Sequence, residues 1–373
     1  MVPAKLRVVE EKDFGKLASL LTEGFPSRSL ELWEKRFHSW WEKNPFWTPD
    51  IPIGWLLEDK NGNIVGFMGN IPVKFQVNGQ ESLASAGTSW YVKPEFQGSN
   101  SILILLAWLK QRNFQLFLST TPNEKVQKMI PKLGFVQIDF PFNQTEYWDI
   151  LNCGQALHLL IKRRLKPGVM TITFKIILLP IRLISRLILP LKKAKVQRLR
   201  CPEYTTSFCS ACDASFTEFW ERNKKEYTTT LFRDAETLSW LCSMEENQSR
   251  FIIKCIQKSD LAMAGYLLFD IVIEPQTRIK LMRLRDLFIP EPKEKAVLSM
   301  ISASMSVAIK NDVAIIKYWA PNQEIENIFK KLFWFKKKCR YPYLYKFSGK
   351  VEANIKAGHE FIPSLIDPDR GLI

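Results

Sequence analysis

Trp90-Tyr91-Val92-Lys93 runs into Pro94. After it come a polar stretch, Glu95-Phe96-Gln97-Gly98-Ser99-Asn100, and an apolar run from Ser101 to Lys110. The pattern predicts a strand that stops at a proline and a loop that opens a helix. The first backbone N–H groups of a helix have no intrahelical partner, and the helix dipole adds positive potential to them. The chemistry on offer is anion binding, with a phosphate held by amides. Gln97, Gly98, Ser99, Asn100 and Ser101 are placed to supply it. Three carboxylates could serve as a general base. Glu81 lies on the strand that enters the motif, and Glu146 follows the strand after Gly134-Phe135. Asp286 lies far downstream in Arg283-Leu284-Arg285-Asp286-Leu287.

Hairpins must hold that strand. Gly54–Asp59 and Asn63–Gly69 read as strands around a Lys60-Asn61-Gly62 turn, and a second hairpin turns at Asn78-Gly79. Downstream, Thr121-Pro122-Asn123 precedes a helical stretch that ends at Lys132-Leu133-Gly134-Phe135, with Gly134 as the helix C-cap.

Together these motifs resemble the acyl-CoA-binding core of the GNAT superfamily of N-acyltransferases. In that family a strand ends in Val-x-Pro-Glu-(Tyr/Phe)-Arg-Gly, and the loop after it holds the pyrophosphate of coenzyme A. Val92, Pro94, Glu95, Phe96, Gln97 and Gly98 match in order. Asn100 and Ile102 stand where the family has its later glycines. The family's second element, Asn-x-x-Ala-x-x-x-Tyr-x-Lys-x-Gly-Phe, is met by Asn123, Lys132, Gly134 and Phe135. Val126 replaces its alanine, and Ile130 replaces the tyrosine that protonates the departing thiolate in many members. The resemblance implies acetyl-CoA or another acyl-CoA as substrate. Its pyrophosphate would sit on Gln97–Ser101, and its pantetheine along Tyr91 and Val92 beside Asn123. Free amides near Tyr91 and Val92, where the strand splays from its neighbour, would serve the thioester.

The second half echoes the first. Ala320-Pro321-Asn322 repeats Thr121-Pro122-Asn123, each followed at equal spacing by Lys-Leu. Pro290-Glu291 precedes an apolar helix as Pro94-Glu95 does. The expected fold class is α/β (α+β): two tandem GNAT-like units, each a mixed, mostly antiparallel sheet flanked by helices. The expected division is 1–150 for the acyl-CoA-binding unit, 151–200 for a helical linker and 201–373 for a second, degenerate unit. In the second unit the loop Pro290–Lys295 has no glycine. It carries carboxylates that repel phosphate, and Pro292 lacks an N–H, so only the first unit should bind CoA.

The net charge of +15 is concentrated. Residues 151–200 hold 12 Lys and Arg and no acidic residue, which leaves +3 for the rest of the chain. A nucleic-acid-binding surface across the whole protein is therefore not expected. On a helix, Lys175, Arg182, Arg186 and Lys193 fall within about 20° of one line on an otherwise apolar surface. That stripe suits either an anionic membrane surface met through residues 162–200 or an interdomain strut with its charges in water. A transmembrane span is rejected, because it would bury the cations and contains Pro180 and Pro190.

Seven scattered cysteines suit a reducing compartment, and the segment from Lys5 to Lys16 lacks an apolar leader core. The expected location is the cytoplasm, with a peripheral position at the inner membrane face as an option. The lone Cys209-Ser210-Ala211-Cys212 pair and the three histidines give no metal spacing. The function that follows is transfer of an acetyl or other acyl group from CoA to a small-molecule or sugar amine held between the units. The alternatives are a non-catalytic GNAT-like scaffold or membrane tether, and an aminoacyl-tRNA-dependent transferase.

Overall fold

The computed structural model describes residues 2–138, 145–164, 190–209, 211–243, 248–274, 277–291, 293–339, 342–349 and 364. Its strands, in chain order, begin with β1 (Lys5–Val8), β2 (Gly54–Glu58), β3 (Ile64–Val77), β4 (Gln80–Val92), β5 (Leu116–Ser119) and β6 (Val136–Gln137). They continue with β7 (Thr145–Ile150), β8 (Tyr204–Cys209), β9 (Thr230–Leu231), β10 (Gln248–Gln257) and β11 (Met263–Ile273). The last are β12 (Lys280–Phe288), β13 (Ile315–Trp319), β14 (Phe335–Lys338) and β15 (Leu344–Phe347). The helices are α1 (Phe14–Gly24), α2 (Leu30–Phe37), α3 (Ser99–Leu109), α4 (Glu124–Met129), α5 (Cys153–Arg164) and α6 (190–199). After these come α7 (Ala214–Asn223), α8 (Ala235–Ser243), α9 (Glu294–Lys310) and α10 (Gln323–Leu332).

The chain forms two compact units, and neither is a contiguous half. The first combines Met1–Asp139, Phe216–Glu246 and Tyr341–Ile373; the second combines Phe140–Ser215 and Asn247–Arg340. The first sheet runs β1-β2-β3-β4-β5-β15-β6, with β9 added to β3. The second runs β8-β10-β11-β12-β13-β7-β14. The two orders correspond position by position. In each, the strand in the sixth place comes from the other half of the sequence. Both sheets are antiparallel except at β4–β5 and β12–β13, which are parallel and joined by the crossover helices α3 and α9.

This differs from the division read along the sequence. The stretch 1–150 includes β7, which pairs with β13 and β14 of the second sheet. The stretch 201–373 includes β15, which pairs with β5 and β6 of the first. Each is fixed by burial as well as pairing. Tyr147 on β7 is buried and its hydroxyl donates to Glu326 Oε1 at 3.0 Å. Leu344 and Tyr345 on β15 are buried in the first unit.

Within 151–200 the described helices α5 and α6 pack on the second unit. Helix α5 buries Ala156 and Leu159 against Leu281 and Ile315 of the second unit. Helix α6 is held to the same unit, where Ser302 on α9 donates to the Val196 carbonyl at 2.7 Å. Lys192 and Lys195 both reach the buried carboxylate of Asp149, at 2.5 and 3.4 Å. Lys193 of the basic stripe lies in α6, whereas Lys175, Arg182 and Arg186 lie outside the described residues, as does Pro292. Among the described residues no helix is long and apolar enough to cross a membrane.

In the first unit both predicted hairpins form. Asn78 and Gly79, at φ 51° and 78°, make the two-residue turn between β3 and β4. The Asp59 carboxylate closes the earlier turn by accepting from the Asn61 and Asn63 amides at 2.8 and 2.9 Å. Helix α3 packs on β2, β3 and β4 through Ile104, Leu105 and Trp108.

Candidate functional site

Strands β4 and β5 pair over only three residues, Ala84↔Leu116, Ser85↔Phe117 and Ala86↔Leu118. Beyond them the strands diverge, and a cleft of about 180 Å³ opens between. Gly87, Thr88, Ser89 and Trp90 form one wall; Ser119, Thr121, Pro122 and Asn123 form the other. Met68, Leu105, Trp108, Val126 and Ile130 supply apolar floor, and Phe25 and Arg28 complete the lining. The volume is below the roughly 300–1,000 Å³ of sites that enclose a drug-sized ligand. It suits the reacting end of a longer molecule.

A bulge creates the first wall. Phe67 pairs with Tyr91 and Gly69 with Thr88, so Ser89 and Trp90 together face the single residue Met68. Ser89 takes φ 52°, a left-handed conformation that costs a non-glycine residue on the order of 1–3 kcal/mol. The bulge interrupts the β3–β4 ladder at the place where β4 has already left β5, so backbone N–H groups there are not committed to a regular sheet. Gly87 is required by close approach. A Cβ at this position would lie 2.9 Å from both the Met68 methyl and the Trp108 ring.

The predicted phosphate loop follows. A short turn at Pro94–Phe96 leads to Gly98, the N-cap of α3, at φ 92° and ψ −124°. Only glycine adopts that conformation readily. Gln97 and Asn100 brace the loop. The Gln97 amide donates to the Val92 carbonyl at 2.9 Å, and the buried Asn100 amide donates to the carbonyls of Phe96 and Val2 at 2.9 and 3.0 Å. Ser99 and Ser101 lie in the first turn of α3. Asn123 lines the cleft and caps α4, where its side chain accepts from the Val126 amide at 3.0 Å. Gly134 closes the following turn at φ 85°.

Tyr91 and Val92 are not part of the cleft lining. Val92 is core, and the Tyr91 ring lies 6.0 Å from that of Phe25. Burial pushes the Tyr91 phenol up, helped by the charge of Glu23. The opening starts earlier on β4, at Gly87–Trp90. The signal for it was the run of small residues from Ala84 to Ser89 inside a strand, which marks close approach. Arg28 had no such signal. Its guanidinium stacks over Trp33 at 5.3 Å and Phe25 at 5.9 Å.

None of the three carboxylates lines the cleft. Glu81 sits near the β3–β4 turn, six residues before Gly87, with its side chain 60% exposed and paired to Lys74 at 3.0 Å. Burial alone would lower the Lys74 ammonium; Glu81 and Asp234 outweigh it and raise it. Glu146 belongs to the second sheet, where it accepts from the Trp148 indole at 2.5 Å and meets Lys317 at 3.3 Å. Asp286 is fully buried in the second unit and accepts from the Tyr266 hydroxyl at 2.6 Å. Each carboxylate is occupied by neighbours within its own unit.

The second unit differs at the equivalent point. Strands β12 and β13 also pair over three residues, ending at Arg283↔Lys317. The next residue on β12 is Leu284, in the place of Gly87. Two residues beyond Lys317 is Trp319, in the place of Thr120. Trp319 is 3% exposed and donates from Nε1 to the Leu284 carbonyl at 2.9 Å. Here an indole of the protein bridges the two strands just beyond their paired stretch. The Asn cap is retained: Asn322 accepts from the Ile325 amide at 2.9 Å, as Asn123 does from Val126.

No protein-family profile and no curated protein matches the sequence. Solved structures do match the fold. A GCN5-related N-acetyltransferase from Anabaena variabilis superposes with a TM-score of 0.58 at 10% identity, covering 95% of this chain and 75% of that one. A probable N-acyltransferase from Enterococcus faecalis gives 0.54 at 12% identity, covering 93% and 73%. N-myristoyltransferase from Saccharomyces cerevisiae, with bound myristoyl-CoA, gives 0.53 at 12% identity, covering 92% and 82%. The chain has the GNAT fold, in a tandem arrangement of two sheets. At these identities the likeness establishes architecture, and function rests on the site.

Proposed function

We propose that the chain is an acyl-CoA-dependent N-acyltransferase, with the donor in the first unit and a small-molecule or sugar amine as acceptor. The observation that carries this reading is the cleft itself. It is an opened β4–β5 pair on the strand that leads to the Gly98 turn, and at the equivalent point of the second unit Trp319 bonds across to Leu284. The fold neighbours are N-acyltransferases, one of them holding myristoyl-CoA, which supports acyl-CoA as the ligand class.

In this reading the Gly98 turn and the first amides of α3 receive the pyrophosphate. The thioester enters between β4 and β5. Its carbonyl accepts from backbone amides of the Ser89–Trp90 bulge, at the place where the oxyanion forms on attack. The amine nitrogen bonds to the carbonyl carbon, the C–S bond breaks, and the sulfur leaves with the electron pair. Among the described residues no Asp, Glu, His or Tyr lines the cleft. The amine therefore has to arrive uncharged, and its surplus proton passes to solvent or to the departing sulfur. An ordinary thiol has a pKa of roughly 8.5, so a thiolate can leave without a strong acid beside it. This makes Ile130, in place of the family's tyrosine, compatible with turnover. The small volume and the closed Trp108–Leu105 floor favour a short acyl group.

Calorimetry with acetyl-CoA tests the reading. One site per chain is expected, weakened at least tenfold by Gly98→Asp, which adds a Cβ at φ 92° and a negative charge. Binding unchanged by that substitution, or two sites per chain, would overturn the placement. Binding without acyl transfer to any amine in a broad panel would favour the non-catalytic scaffold.

A further inference from the structure

Among the described residues strand β14 ends the second sheet and pairs with β7 alone. All four of its residues, Phe335, Lys336, Lys337 and Lys338, are exposed. Trp334, just before it, is 92% exposed and Phe335 is 58% exposed. Between residues 327 and 338 the chain has five lysines and no acidic residue. Lys330 and Lys331 have ion-pair partners in Glu326 and Glu294, at 3.2 and 3.9 Å. Among the described residues no carboxylate pairs with Lys336, Lys337 or Lys338.

Helix α6 lies beside this edge. Lys195 on α6 reaches the Leu332 carbonyl at 3.4 Å and lies 5.1 Å from the centre of the Phe333 ring. One turn earlier on α6, Leu191 is 68% exposed and Lys193 is also exposed. An aliphatic residue, two aromatic residues and four lysines are thus presented on neighbouring elements of one unit.

Lysines alone would serve to blunt an open sheet edge against pairing. They give no reason for an indole left almost wholly in water. Burying its apolar surface requires a partner, and the surrounding charge requires an anionic one. An aromatic ring flanked by long cationic side chains is the combination that settles at a lipid headgroup boundary, the ring among acyl chains and the ammonium groups on phosphate. Leu191 favours lipid over nucleic acid, since an aliphatic side chain does not stack on bases.

We propose that Trp334, Phe335, Leu191 and the Lys336–Lys338 run form a docking surface for an anionic lipid bilayer. The proposal is independent of the acyl-transfer reading. It places the contact on a sheet edge.

The test is co-sedimentation of the full chain with sucrose-loaded vesicles, either phosphatidylcholine alone or phosphatidylcholine with about a third phosphatidylglycerol. Binding is expected only to the anionic vesicles and should fall steeply with added salt. Each Lys→Gln change at 336, 337 or 338 should weaken partitioning about fivefold. Trp334→Ala should weaken it severalfold, and Trp334→Phe much less. All are surface changes, and circular dichroism should show an unaltered fold. The proposal is overturned by any of four results: no binding to anionic vesicles at low salt, equal binding to neutral ones, partitioning indifferent to all these substitutions, or a concentration-dependent dimer abolished by Trp334→Ala. The last would make a second copy the occupant. Tight RNA binding through the same lysines, with no vesicle binding, would overturn it as well.

Discussion

Trp108 Nε1 donates to Ser85 Oγ at 2.6 Å, tying the crossover helix α3 to the last paired stretch of β4. Ser85 passes the connection on by donating to Asn70 Oδ1 at 2.5 Å. The Asn70 amide then donates to the Pro52 carbonyl and to Gln111 Oε1, at 2.8 and 3.0 Å. Trp108, Ser85 and Asn70 are all buried. The indole also stacks on Phe135 at 5.9 Å and meets Phe117 edge-on at 5.2 Å. A polar chain inside the core therefore fixes the residue that forms the cleft floor.

Ser85→Ala should accordingly act on stability and site together. It leaves the Trp108 N–H and one Asn70 oxygen buried without their partner, a loss of about 1–3 kcal/mol. Denaturant melts should show a lower midpoint with an unchanged slope. Acetyl-CoA affinity should fall with it, because the floor can shift. A variant destabilised by that amount but with wild-type affinity would show that Trp108 does not shape the ligand site.

The exchanged strands make a second expectation. Residues 1–200 lack β15, β9, α7 and α8, all of which belong to the first unit. Without β15 the buried strand β5 becomes an open edge and β6 loses its pairing. A fragment ending at residue 200 should therefore be unfolded or aggregated, by circular dichroism and sedimentation, and should not bind CoA. A soluble, cooperatively melting fragment would mean that the first sheet closes without β15.

The loop at Gly98, the hairpin turns, the caps at Asn123 and Gly134 and the second copy of the pattern were legible because each is local. A left-handed glycine, an Asn-Gly turn or an Asn N-cap is set by a few neighbouring residues. The exchange of β7 and β15 was not legible, because strand partners are chosen by packing across the sheet and both candidate sheets offer the same sixth position. The surroundings of Glu81, Glu146 and Asp286 were not legible, because a carboxylate's partners come from other strands. In the structure a lysine or a tyrosine occupies each one. The open cleft was marked instead by what the strand lacks, the small side chains from Ala84 to Ser89, and by the contrast of Gly87 with Leu284.

Acid stability should depend on one pair in the first unit. Arg7 grips Asp13 with two bonds, 2.7 and 2.8 Å, and Glu58 with a third at 2.7 Å. The hydrogen bonds from Arg7 hold the Asp13 carboxyl below its usual range, against the opposing effect of burial. A carboxylate with a lowered pKa contributes stability that is complete above the unfolded value, roughly 3.9, and is lost as pH falls through the folded one. Asp13→Asn should cost about 1–3 kcal/mol at pH 7, and the gap to wild type should narrow below about pH 4. A gap constant from pH 7 to pH 3 would assign the effect to packing.

The pH dependence of turnover should belong to the acceptor. Among the described residues Arg28 is the one cleft-lining side chain that carries a charge, and a guanidinium stays protonated across the working range. With no carboxylate, imidazole or phenol among the described residues of the lining to take a proton, kcat/KM should rise with pH and level off near the pKa of the free amine. Two acceptors whose amines differ by two pH units should then give profiles displaced by about the same amount. Superimposable profiles would reveal a titrating protein group at the reacting centre and would require a base outside the cleft lining. Ser89→Gly is the companion measurement. It relieves the left-handed strain at φ 52° and should leave stability equal or higher. If the bulge amides hold the thioester carbonyl, the more flexible backbone should lower kcat while leaving the pH profile of the acceptor in place.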